Sequence, residues 1–248
     1  MTTRHVFQAT DGVALAWHEQ GAGRPVVLLH GFLSSAKRNW FDPGLAQALA
    51  DAGHRVIAPD CRGHGESDAP EDPAAWPPDV MAADVEALIA HLGLEDYDLA
   101  GYSMGGRTAA RVMVRGARPR RCVLGGMGDE GIMRAGPRAE AFEDAIRHGE
   151  CAADPAMGRA IHKAMAAQGL KPAAMLGVLA AFAPTTESEL AGVPTPTLAI
   201  LGEDDHDNGS AERLARIMPA CRALTLPGDH ASVVATTAFR EALVGFLA

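Results

Sequence analysis

Two kinds of periodicity alternate along this chain. The run V-V-L-L-H at 26–30 is apolar without interruption up to its histidine, the pattern of a strand buried on both faces. R-V-I-A-P-D at 55–60, Y-D-L-A-G at 97–101, R-C-V-L-G-G at 121–126 and P-T-L-A-I-L-G at 196–202 share that character. Between the first four stand stretches with apolar residues at helical spacing: near 43–52, ending at Gly53; from about Asp79 to Leu92, ending at Gly93; and M-G-G-R-T-A-A-R-V-M-V after Ser103. Strands alternating with helices of this length predict a mainly parallel sheet with right-handed crossovers.

The ends of the chain extend that sheet. H-V-F-Q-A near residue 7 and V-A-L-A-W-H from Val13 flank Asp11-Gly12, a hairpin signal, and R-A-L-T-L-P at 222–227 reads as a last strand before a helix from about Ser232 to Leu247. Eight strands are therefore predicted. The alternation stops near residue 129 and resumes at 196. The intervening segments, such as A-E-A-F-E-D-A-I-R-H and M-G-R-A-I-H-K-A-M-A-A-Q-G, are helical in period, and a structureless loop of that length would be unusual. The expected organisation is an α/β core domain over 1–128 and 191–248, with a helical cap over 129–190.

Charge narrows the partners. Thirty-one acidic against twenty-two basic residues give a net charge of −9, which argues against a phosphate-tracking surface and so against nucleic acid. The basic stretch R-G-A-R-P-R-R at 115–121 reads as a solvated helix end and loop. No apolar run is long enough to span a bilayer and the first residues lack a secretory core, so a soluble, cytoplasmic protein without membrane association is expected. Cys61, Cys122, Cys151 and Cys221 are scattered, with no C-x-x-C pair and no H-x-x-x-H spacing. Buried reduced thiols are expected, with no metal site and no cofactor.

Candidate chemistry centres on Ser103. Gly-Tyr-Ser-Met-Gly at 101–105 fits G-x-S-x-G between a strand and a helix, where a sharp turn lifts a nucleophile clear of the sheet and side chains at the flanking positions would collide with their neighbours. A serine hydroxyl needs a base within hydrogen-bond reach, itself oriented by a carboxylate. L-P-G-D-H-A-S places His230 after the last strand, and L-G-E-D-D-H-D places Asp204, Asp205 and Asp207 after the preceding one. The chain order is Ser, Asp, His.

With these motifs the sequence resembles the α/β-hydrolase fold superfamily over nearly its whole length. His30-Gly31-Phe32 is similar to the family's HG oxyanion segment, and Asp60-Cys61-Arg62-Gly63-His64-Gly65-Glu66-Ser67 to its D-x-R-G-x-G-x-S loop. The resemblance implies an eight-stranded sheet flanked by helices, with Ser103 as nucleophile and His230 as general base. It favours Asp205 as the acid, three residues after Gly202; Asp204 and Asp207 stand close by, and some relatives would use Asp129 instead. The backbone N–H groups of Phe32 and Met104 would form the oxyanion hole. His30 is a candidate pocket residue and Trp40, with Phe41, a candidate entrance residue, each with a packing role as the alternative. His64 reads as structural, and His206 competes with His230 as base but is adjacent in chain to Asp205.

The substrate is expected to be a small molecule. Met133, Met157, Met165, Met175 and Phe182 are either pocket lining or the cap's own core. The cap's apolar helices carry little positive charge, so no strongly anionic substrate is indicated. The leading expectation is a serine hydrolase acting on a small or medium, mostly apolar carboxylic ester or lactone. C–C bond hydrolases and cofactor-free haloperoxidases or perhydrolases share the resemblance. A ligand-binding receptor on the same fold is the alternative outside enzymes.

Overall fold

Side chains alternate across a pleated strand, and this divides each apolar run between two cores. The computed structural model describes residues 2–134 and 136–248. In β3 (Arg24–Leu29), Val26 and Leu28 enter one core while Val27 and Leu29 enter the other. The same division runs through β5 (Asp98–Tyr102), β6 (Cys122–Gly125) and β7 (Thr197–Gly202). With β1 (Thr3–Gln8), β2 (Ala14–Gly21), β4 (His54–Pro59) and β8 (Cys221–Leu226) they make one eight-stranded sheet, in the order β1-β2-β4-β3-β5-β6-β7-β8. β1 and β2 pair antiparallel, as do β2 and β4; every other pair is parallel.

Helices cover both faces. α1 (Leu45–Asp51) and α10 (Thr237–Leu247) close one core through Leu45, Leu49, Phe239 and Leu243; α2 (Val80–His91), α3 (Met104–Val114) and α9 (Ala211–Ile217) close the other. The C-terminal helix begins at Thr237, five residues later than its apolar period suggested, because Val233–Ala235 forms a separate short turn and Thr236 caps the helix by accepting from the Phe239 N–H.

Between β6 and β7 run α4 (Asp129–Met133), α5 (Gly136–His148), α6 (Pro155–Gln168), α7 (Pro172–Ala180) and α8 (Glu187–Ala191); Ala135, in the predicted cap, lies outside the described residues. Ile146, Ile161, Met165, Met175 and Val178 form a third cluster around Trp76. Met157 packs against that cluster and Met133 joins the α3 side of the sheet core. No helix among the described residues is long and apolar enough to cross a membrane.

Two local readings change. Cys61 and Cys122 are buried, but Cys151 is exposed and Cys221 half-buried, so burial holds for only part of the set. The basic stretch at 115–121 is exposed at Arg115, Gly116 and Arg118, as expected of a solvated helix end, but its last two arginines form a clamp. Arg120 pairs at 3.0 Å with the fully buried Asp98 and also binds the Leu247 carbonyl, while Arg121 binds the Phe246 carbonyl. These bonds use otherwise unpaired carbonyls at the end of α10.

Candidate active site

β5 delivers the chain to Ser103 and α3 carries it away, a reversal that requires unusual backbone. Ser103 has φ 54° and ψ −119°, outside the regions an L-residue ordinarily occupies, at a cost on the order of 1–3 kcal/mol. The turn is held by the Ser103 N–H donating to the Gly125 carbonyl at 2.8 Å. A β-carbon at Gly101 would strike the Gly105 carbonyl, and one at Gly105 would strike the Leu29 carbonyl. Both glycines are therefore demanded by close backbone approach.

The loops after β7 and β8 bring two further groups to this turn. His230 Nε2 lies 2.9 Å from Ser103 Oγ, and His230 Nδ1 lies 2.7 Å from Asp205 Oδ2. A carboxylate only accepts, so Nδ1 carries the proton and Nε2 offers its lone pair to the serine hydroxyl. Tyr102, beside Ser103, donates its hydroxyl to the His230 carbonyl at 2.6 Å and ties the histidine loop to the elbow.

Asp205 is buried, and burial pushes its carboxyl upward, but hydrogen bonds from His230 and Asn208 outweigh this and hold it below the ordinary carboxylate value. Asn208 Nδ2 donates to Asp205 Oδ1 at 2.8 Å. Asn208 Nδ2 also approaches His230 Nδ1 at 3.1 Å; both nitrogens carry hydrogen there, so the useful bond is the one to Asp205. Asp129 stands elsewhere, accepting from the Ser210 N–H at 2.8 Å with Arg213 Nε 3.1 Å away. Asp204, Asp207 and His206 are exposed.

Phe32, Ser103 and Met104 line a common cavity of ≈ 190 Å³. Met104 is the first residue of α3, where an N–H has no acceptor within the helix and the helix dipole favours negative charge. Ahead of Phe32, the Gly31 N–H is held by Asn39 Oδ1 at 3.0 Å; behind it, Leu33 adopts φ 55°. This fixes the course of the segment beside the serine.

His30 does not reach the cavity. It is fully buried, accepts from the Cys61 N–H at Nε2 (2.9 Å) and donates from Nδ1 to the Gly31 carbonyl (2.8 Å), with burial holding it neutral. The bond from Cys61 joins the HG segment to the 60–67 loop. There Asp60 accepts from the Ala36 and Glu66 N–H groups, and Arg62 is buried between Asp84 and Asp11. Trp40, expected at an entrance, is fully buried in the core with Val26, Leu28 and Leu45, because a five-residue π-helical turn at Lys37–Phe41 directs it beneath the sheet. Phe41 is only partly buried and packs against the same cluster.

Several residues at the site escaped sequence reading, Asn208 and Arg107 among them. Asn208 stands three positions after Asp205, a spacing that resembles any polar loop. Arg107 lines the cavity one helical turn after Ser103, and Arg111 lines it one turn further on, in a helix whose other residues are small or apolar. Of the methionines and Phe182 considered as pocket lining, Phe182 lines the cavity.

A family model described as the alpha/beta hydrolase fold matches residues 24–122. The chain is 39% identical over 111 residues to AB hydrolase superfamily protein YisY of Bacillus subtilis (strain 168), covering 45% of this chain and 40% of that protein. It is 40% identical over 105 residues to Non-heme chloroperoxidase CPO-A1 of Kitasatospora aureofaciens, covering 42% of this chain and 36% of that protein. The chain thus spans less than half the length of these relatives. The esterase EaEST from Exiguobacterium antarcticum superposes with a TM-score of 0.79 at 22% identity, over 98% of each chain, a likeness of fold. Sheet order and superposition agree on the α/β-hydrolase fold, and the family model for that fold matches residues 24–122.

Proposed function

We propose that this chain is a serine hydrolase acting on small or medium, mostly apolar carboxylic esters or lactones through an acyl-enzyme. The observation that carries the reading is the relay from Asp205 through His230 to Ser103 Oγ, at 2.7 and 2.9 Å, beside a cavity. Ser103 Oγ bonds to the acyl carbon as its proton passes to His230 Nε2. The negative charge on the carbonyl oxygen is met by the Phe32 and Met104 N–H groups. The C–O bond to the alcohol then breaks and the leaving oxygen takes the proton from His230. Water repeats the sequence, losing its proton to His230 and releasing the acid while Ser103 recovers its hydrogen. Asp205, kept ionised, holds the imidazole in the tautomer this requires.

The match to a chloroperoxidase supports a second reading, in which hydrogen peroxide replaces water as acyl acceptor and the product is a peracid. The first half-reaction is shared. A fluorophosphonate that mimics the acyl group tests that half directly: intact mass should rise by one phosphonyl adduct, mapped to Ser103 and absent in Ser103→Ala. A folded wild type that stays unlabelled would overturn the proposal. Adding peroxide to the ester assay and measuring peracid separates the two readings.

A further inference from the structure

The cavity beside Ser103 holds a cation that the proposed hydrolysis does not use. Arg107 lies on α3 and lines the cavity. Its Nε donates to the Gly131 carbonyl at 2.7 Å and its guanidinium lies over the Phe182 ring, 4.6 Å from the centroid. Nη1 and Nη2 have no acceptor among the described residues, and no carboxylate pairs with this side chain there. Two other arginines of the lining are matched: Arg111 Nε donates to Asp79 Oδ1 at 2.9 Å, and the partly exposed Arg138 reaches Asp207 at 3.0 Å. Glu130 and Arg134 are exposed members of the lining, four residues apart on one turn.

Arg107 is half-buried, and a guanidinium partly removed from water without an anion is unfavourable. Burial, reinforced by Arg138, draws Arg107 down to about 10, which still leaves it charged at neutral pH. Its two free nitrogens match the bidentate geometry of a carboxylate. Arg107 follows Ser103 by four residues, so its Cα stands about 6 Å further along the helix axis, on the same face.

The geometry points to Arg107 as a subsite for a substrate carboxylate, held beside the guanidinium while Ser103 attacks an acyl carbon one short apolar spacer away. The inference rests on the serine-hydrolase reading and narrows its substrates to esters or lactones whose apolar body ends in a carboxylate. Phe182 and Phe142, which also line the cavity, flank the spacer. On a chain of net charge −9, an unmatched, half-buried cation beside the nucleophile gives an anion a local attraction that the surface as a whole does not.

The test compares mono-para-nitrophenyl glutarate with its methyl ester on wild type, Arg107→Gln and Arg107→Lys. The ratio of kcat/KM values, anionic over neutral, should exceed one in wild type. It should fall about tenfold to a hundredfold in Arg107→Gln, mainly through KM, as expected for a charged hydrogen-bonded contact, and recover in part in Arg107→Lys. Glutarate binding by calorimetry to Ser103→Ala, with and without Arg107→Gln, gives a readout independent of turnover. An unchanged ratio and unchanged glutarate binding in Arg107→Gln, with Tm alone lowered, would overturn the subsite and leave the hydrolase reading standing. Glutarate binding that depends on Arg107, with no turnover of either ester, would keep the subsite and remove the hydrolase reading.

Discussion

Replacing Asn208 by Ala removes a single polar contact at the buried end of the relay. Asn208 Nδ2 donates to Asp205 Oδ1 at 2.8 Å, and both residues are buried. The backbone of residue 208 keeps its role, since its carbonyl accepts from the Gly128 and Gly131 N–H groups, and alanine retains that carbonyl. What is lost is a hydrogen bond to an ionised group, worth about 1.5–3 kcal/mol. If that bond serves to orient Asp205, kcat/KM falls by roughly tenfold to a hundredfold, at 1.36 kcal/mol per tenfold. The sign of the acid effect also follows. Asn208 helps depress the Asp205 carboxyl while burial raises it, so losing the donor moves that carboxyl upward. The assay is kcat/KM for a para-nitrophenyl ester across pH, with Tm measured on the same samples. A variant matching wild type at every pH, with unchanged Tm, would show that Asn208 does not position the acid.

Gly105→Ala drives a β-carbon into the Leu29 carbonyl, so Tm and ester turnover should both collapse or soluble protein should be lost, read by thermal melting. Arg62→Met leaves Asp84 buried without its guanidinium and should lower unfolding free energy by about 3–5 kcal/mol in urea titration, whereas a loss under 1 kcal/mol would contradict the pairing. Acid should destabilise the fold: burial holds His30 and His54 below the ordinary histidine value and lowers His64 to about 3. The unfolded chain binds those protons first, so their stabilising contribution is present above about pH 6.5 and is lost as pH falls toward the folded values. His64 alone accounts for about 3 kcal/mol between pH 7 and pH 4, and urea midpoints that stay flat over that range would contradict it.

The sheet was legible because parallel strands buried on both faces leave continuous apolar runs, as at Val26–Leu29, and because glycines punctuate the helix ends. The elbow was legible for a steric reason, as the spacing of Gly101, Ser103 and Gly105 follows from backbone contacts that tolerate no side chain. Direction of side chains was not legible. Nothing in K-R-N-W-F announces a π turn that sends Trp40 inward, since that follows from packing beneath β3. Reading the pocket's charge from the cap alone missed Arg107, because the cation comes from α3 in the core and meets Phe182 only once the chain has folded. Likewise the choice among Asp129, Asp204, Asp205 and Asp207 depends on which loop, and which residue of it, faces His230, a long-range property of the fold.

The measurement closest to the central claim is active-site titration with a chromogenic ester, comparing wild type with Ser103→Ala and His230→Ala. The account predicts a burst of one chromophore per wild-type chain that disappears in both variants. A burst of full amplitude in folded Ser103→Ala would contradict it.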